Sequence, residues 1–177
     1  MASVHKALED LAPEKVEVFE GWFSPSEREV QFHIAPVVGA ISYLRRDRDL
    51  YVKVMERAGR YASQWIYLNR SSLERKLFAA VPPLLRAPVV GYILRSALKQ
   101  VQRDFELAVH RDGTRVFIMV GNSLFCRTGA AATEPNCAFY ASLFAGLLDR
   151  SGLARPPVVE SQCRSQGRPV CRFEVEC

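Results

Sequence analysis

The chain has 177 residues, 49% of them apolar and 24% charged, with a formal net charge of +5. That length suits one domain over 1–177, large enough to bury a core without staples, and the composition excludes the disordered and fibrous classes. No run reaches the roughly eighteen apolar residues of a membrane span. Lys and Arg are interleaved with Asp and Glu, most densely in YLRRDRDLYVKVMERAGR, which reads as a solvated helix face and argues against a nucleic-acid partner.

The opening MASVHKALEDLAPEK carries acids where a signal peptide would have its apolar region, so a cytoplasmic location is expected. KVEVFEGWF (15–23) alternates as a strand does, and VQFHIA (30–35) is its expected hairpin partner across SPSERE. A long helix follows, on which Val54, Ala58, Tyr61, Trp65 and Leu68 recur at three- and four-residue steps and form the expected buried stripe. Ala58 and Gly59 are small enough to admit a second backbone.

Between Leu73 and Val101 the pattern is again helical, but Pro82, Pro83 and Pro88 in VPPLLRAP forbid a continuous hydrogen-bond ladder and predict two pieces with a kinked joint. The second piece carries Val90, Ile93, Leu94, Ala97 and Val101 at helical spacing. FELAVHRDGTRVFIMV is a hairpin around Asp112-Gly113. Thr133 is the expected N-cap of a helix with Pro135 in its first turn, ending near Arg150 before Gly152. Two final strands, PVVESQC and PVCRFEVEC, flank a turn at Gly167.

Chemistry concentrates in this ending. A reducing cytosol and an odd count of five cysteines shift the odds from disulfides toward metal binding or plain burial. Cys163 and Cys171 flank a tight turn, a familiar way to present two thiolates to zinc, and Cys137 at a helix start is where the helix dipole favours a thiolate. Glu160 is three residues from Cys163 and on a regular strand would point the other way, so it can join only if the strand bulges or ends between them. Arg164, Arg168 and Arg172 are near enough in sequence to offset the charge of such a site. The alternative is that Cys171, Phe173 and Val175 are the inward face of the last strand, with Cys137 and Cys163 merely buried. Cys126 and Cys177 have no partner at metal spacing.

CAFYASLFAGLLDRSG followed by VVESQCRSQGRPVCRFEV resembles the signature of the 4-vinyl reductase domain family: a helix opening with Cys137, then Glu160, Cys163, Gly167, Cys171 and Phe173, within 137–175. The resemblance implies an α+β fold, a twisted antiparallel sheet packed against several helices as in vesicle-tethering transport subunits, commonly a homodimer with an apolar cavity. It also implies a structural zinc ion held by Cys137, Glu160, Cys163 and Cys171, as in the similar sensor domains of phenol-responsive activators. His5, His33 and His110 fall outside the regions where a phenol hydroxyl partner would be sought, so phenol sensing itself is not implied. A family branch associated with bacteriochlorophyll synthesis suggests a helper that handles a tetrapyrrole.

Four protein ligands would close a zinc ion to catalysis, and neither a dinucleotide fingerprint nor a P-loop is present, so the chain is not expected to be an enzyme. A nucleophilic pair of Cys126 with His110 is the one catalytic arrangement to test. The expected function is a sensor or carrier of a hydrophobic aromatic or tetrapyrrole molecule, lined by Tyr61, Trp65, Tyr92, Phe117, Met119, Phe125, Tyr140 and Phe144, with Arg95 or Arg115 meeting an acidic ligand group. The alternative is ordinary core packing by those aromatics and a dimeric adaptor that docks a protein partner through an exposed apolar patch.

Overall fold

The computed structural model describes residues 2–23, 34–82, 85–102, 104–127 and 132–176. The chain opens with α1 (Ala2–Leu11), which buries Val4, Ala7 and Leu8, and a 3-10 turn at Pro13–Lys15 leads into α2 (Val16–Phe23). The strand expected over 15–23 is therefore a helix. Pro13 sits at the start of that turn with its fixed φ suited to helix, and the chain continues helically, burying Phe19 and leaving Val18 46% exposed. Of its expected partner over 30–35, Ile34 and Ala35 open α3 (Ile34–Leu44), and 30–33 lie outside the described residues. Phe19 meets Tyr43 of α3 edge-on at 5.8 Å.

Helix α4 (Arg48–Leu68) starts where the Asp47 side chain accepts the Leu50 N–H at 3.1 Å. Its buried face is Tyr51, Val54, Met55, Ala58, Gly59, Ser63 and Ile66, while Tyr61 is half-buried and Trp65 and Leu68 are 61% and 58% exposed. The stripe read from the sequence is thus rotated at its C-terminal half. Backbone approach decides the face: a Cβ on Gly59 would lie 2.5 Å from the Phe139 carbonyl oxygen, and one on Gly146 would strike Ser63. The small residues select which side of α4 meets its neighbour.

The kinked joint is found as expected, with α5 (Ser72–Ala79) opened by a Ser71/Glu74 capping box and α6 (Arg86–Val101) burying Val90, Ile93, Leu94, Ala97 and Leu98. The hairpin of β1 (Glu106–Asp112) and β2 (Arg115–Gly121) turns at Gly113, φ +57°. After α7 (Ala138–Arg150) and Gly152 at φ +65° come β3 (Arg155–Gln162) and β4 (Cys171–Glu176), joined through Gly167 at φ +79°. β3 begins Arg155-Pro156-Pro157, and its register with β4 shifts before Val159 and again between Glu160 and Gln162.

The sheet order is β1-β2-β4-β3, antiparallel throughout, so the chain is mixed helix and antiparallel sheet, as read from the sequence. Val116, Ile118 and Val120 of β2 pair with Val175, Phe173 and Cys171 of β4 and are all buried. Helix α7 lies under that face. Tyr140 and Phe144 meet Phe173, while Phe139, Ser142 and Gly146 meet α4. Among the described residues, no helix is long and apolar enough to cross a membrane.

Candidate metal centre

Four elements deliver four sulfurs to one point. Cys126 ends a three-residue 3-10 turn (Leu124–Cys126) after β2, Cys137 is the N-cap of α7, Cys163 follows β3, and Cys171 opens β4. The six Sγ–Sγ separations are 3.4, 3.5 and 3.4 Å from Cys126 to Cys137, Cys163 and Cys171, then 4.0, 3.6 and 3.9 Å among the other three. All four thiols are free, and these distances far exceed a sulfur–sulfur bond of about 2.05 Å. A tetrahedron with edges of 3.4–4.0 Å has its centre about 2.1–2.5 Å from each corner, which brackets the zinc–thiolate bond of about 2.3 Å. The four are close enough to hold a metal ion.

The surroundings suit thiolates. Backbone N–H groups of Asn136 and Arg164 donate to Cys163 and Cys171 at 3.4 and 3.5 Å, while the Ser165 and Ser123 hydroxyls lie 3.0 Å from Cys163 and 3.3 Å from Cys137. Without a cation, burial pushes the Cys137 thiol well above its usual range, so the helix start does not by itself hold a thiolate there. A divalent ion at the centre would reverse that balance.

The N-cap falls later than Thr133 because α4 holds the preceding backbone. Arg48 donates to the Pro135 carbonyl and, at 2.6 Å, to Asn136 Oδ1, and the buried Tyr51 hydroxyl donates to the Asn136 carbonyl at 2.6 Å. Burial pushes the Tyr51 hydroxyl up in pKa, which keeps it a neutral donor. Residues 135 and 136 thus give their acceptors to α4, and α7 begins at Ala138.

Glu160 stands beside the sulfurs. The register shift after Glu160 supplies the bulge that alternation demanded, and the residue pairs with Phe173. Its Oε2 accepts the Cys137 N–H at 2.8 Å, and its Oε1 is buried with no hydrogen-bond partner among the described residues. Burial, reinforced by Cys163, pushes its carboxyl up to about 8. Cys126, to which the sequence offered no partner, completes the sulfur set instead. Spacing could not show this, because the turn after β2 meets β4 only through the non-sequential pairing of those strands. Of the three arginines expected to offset charge, Arg172 lies over the Phe117 ring at 4.1 Å, away from the sulfurs, and Arg164 reaches Asn122.

The eight aromatic and Met residues expected to line one pocket are not brought together. Phe125, Tyr140 and Phe144 form a buried cluster with Phe139 and Phe173, with ring centroids 5.0–5.8 Å apart along Phe125–Tyr140–Phe144. Phe117 and Met119 are half-buried on the opposite face of the sheet. Tyr61 donates its hydroxyl to Asp10, Trp65 is exposed, and Tyr92 borders an open groove of about 690 Å³ between α6 and β1 with Gly91, Arg95, Lys99 and Val109. Arg95 donates to the Leu107 carbonyl at 3.2 Å, and Arg115 pairs in register with Glu176. His110 pairs with Phe117 on the outward face while Cys126 lies with Cys171, so the two do not form a nucleophilic pair.

An α+β scaffold with a four-thiol corner is thus the class that fold and site define. The V4R domain family model matches residues 116–177, which contain all four clustered thiols and Glu160, and the resemblance to the 4-vinyl reductase domain family is borne out over that segment. Among solved structures, the phenol-responsive sensory domain of the transcription activator PoxR, crystallised with phenol, is similar at a TM-score of 0.53 and 13% identity. The alignment covers 99% of this chain and 90% of that one and shows a shared fold. No curated protein matches.

Proposed function

We propose that this chain is a non-catalytic module, one domain over 1–177, that binds a hydrophobic small molecule as a sensor or carrier, with a zinc ion as the staple of its ending. The observation that carries it is the near-regular sulfur tetrahedron joining a turn, a helix start and two strands. Its size suits a single ion, and a set of four protein donors leaves no open position for a reacting water. Zinc bound there would supply charge neutralisation and cross-linking, and the chain's own residues do the rest. Ser165, Ser123 and the backbone of Asn136 and Arg164 orient the thiolates, and Tyr51 and Arg48 fix the approach to Cys137.

The binding role is supported by the fold shared with a phenol-responsive sensory domain and by the aromatic cluster that begins next to the sulfurs, at Phe125 and Tyr140. An aromatic or tetrapyrrole ligand is the class that such flat apolar surroundings accept. Elemental analysis with native mass spectrometry of the purified protein tests the reading. One zinc per chain and a copurified or added aromatic ligand that raises the melting temperature support it; a metal-free, ligand-indifferent protein refutes it.

A second reading, a homodimeric adaptor for a protein partner, is favoured by one observation: Leu73 and Leu77, four apart on α5, are 66% and 59% exposed. Concentration-dependent association that Leu73→Ser with Leu77→Ser abolishes would support it. A monomer at all concentrations would count against it.

A further inference from the structure

We infer that Cys126 is the fourth metal donor and that Glu160 is a second donor, held in reserve for the same position. The inference rests on the metal reading above. Three of the sulfurs are fully buried: Cys137 caps α7, Cys163 directly follows β3 and Cys171 starts β4. Cys126 differs in being half-buried, at the end of the three-residue turn that follows β2. It nevertheless lies 3.4–3.5 Å from each of the others, the shortest separations in the set, so the tetrahedron closes only with it.

Glu160 has the complementary character. Its carboxylate is anchored by the Cys137 N–H through Oε2, interacts with Cys137 and Cys163, and keeps Oε1 buried and unpartnered among the described residues. A buried acceptor without a partner calls for a role. Here the bulge in β3 turns it to the side of Cys137 and Cys163. Zinc accepts carboxylate in place of thiolate without changing its four-coordinate preference, since it has no electronic demand on geometry. Loss of Cys126 from the set would therefore leave three thiolates and a carboxylate. The turn that carries Cys126 also carries Phe125, which packs 5.1 and 5.0 Å from Phe139 and Tyr140.

The test uses full-length protein with Cys177→Ser, so that the four clustered thiols are the only ones, loaded with Co(II) and read by absorbance and metal content. The expected parent spectrum is that of four thiolates. Cys126→Ser should keep one equivalent of metal while its thiolate charge-transfer band falls by about a quarter, four donors becoming three. Glu160→Gln should keep both metal and spectrum, and the double variant should lose affinity about 10–100-fold or more. As a check free of folding effects, a thiol-alkylating reagent applied to the parent should modify Cys126 first, with the metal retained at that stage. An unchanged spectrum in Cys126→Ser removes Cys126 from the set. Metal loss in Cys126→Ser as complete as in the double variant, or on the first alkylation, removes Glu160 as reserve. An altered Glu160→Gln spectrum makes Glu160 a primary ligand and overturns the assignment. A parent that takes up no Co(II) overturns this inference together with the metal reading, whereas the other outcomes leave that reading standing.

Discussion

Helix α7 is held at its start and along its flank by different physics. At the start, Cys137 joins three other sulfurs and its N–H is capped by Glu160, so the contact depends on charge and donors and, on the proposed reading, on a cation. Along the flank, Phe139, Ser142 and Gly146 meet Gly59 and Ser63 of α4 with no room for another carbon, so the contact depends on the absence of atoms. The first can be dissolved by changing the solution. The second can be broken only by changing the chain. The sensor proposed above would need a place that responds and a frame that does not, and one helix carries both.

Four experiments break or sharpen that contrast, the strongest first. Cys163→Ser or Cys171→Ser should abolish metal retention and lower stability by several kcal/mol, and a strong chelator should reproduce the loss in the unaltered chain; thermal melts with and without chelator check this. Gly59→Val should lower stability by about 3 kcal/mol, because its Cβ would sit 2.5 Å from a backbone oxygen, while metal content remains at the parent level. Denaturant unfolding with metal analysis separates the two effects. Tyr51→Phe removes the buried bond to the Asn136 carbonyl, leading into Cys137, and should cost about 1–2 kcal/mol together with a measurable drop in metal affinity.

The smallest effect is far from the four sulfurs. Asp10 at the end of α1 accepts from Tyr61 and pairs with Arg57 at 3.3 Å, contacts that hold its carboxyl below the ordinary 3.8, Tyr61 being the larger cause. A depressed folded pKa means the unfolded chain binds the proton first as pH falls. The stabilisation is full above about 3.8 and disappears as pH drops through the lower folded value. Asp10→Asn should therefore melt slightly lower than the parent at neutral pH and converge with it in acid, without altering metal content.

The same contrast explains what could be read from the sequence. The ending was legible because glycines and thiols have few uses: Gly113, Gly152 and Gly167 all adopt the positive φ that marks turns and helix ends. Pro82, Pro83 and Pro88 likewise announced the break between α5 and α6. The opening departs from its pattern: Val16 and Val18 alternate with glutamates in a way that satisfies a strand locally, whereas Phe19 packs on α3 from a helix. Trp65 and Leu68 fit the core stripe by spacing yet stand exposed, because hydrophobicity fixes a periodicity without fixing its phase; Gly59 and Ser63 set the phase. Cys126 has no signal in sequence spacing because its partners are brought to it by β2 pairing with β4 across the intervening α7 and β3.

The prolines that open β3 bear on how this chain meets its own copies. An outer strand normally offers a row of free amides on which a further strand can grow. Pro156 and Pro157 supply none, and the two shifts in register bend what is left out of line. Growth of a shared sheet across that border is blocked, which leaves β1, the other outer strand, as the edge on which a further strand would add.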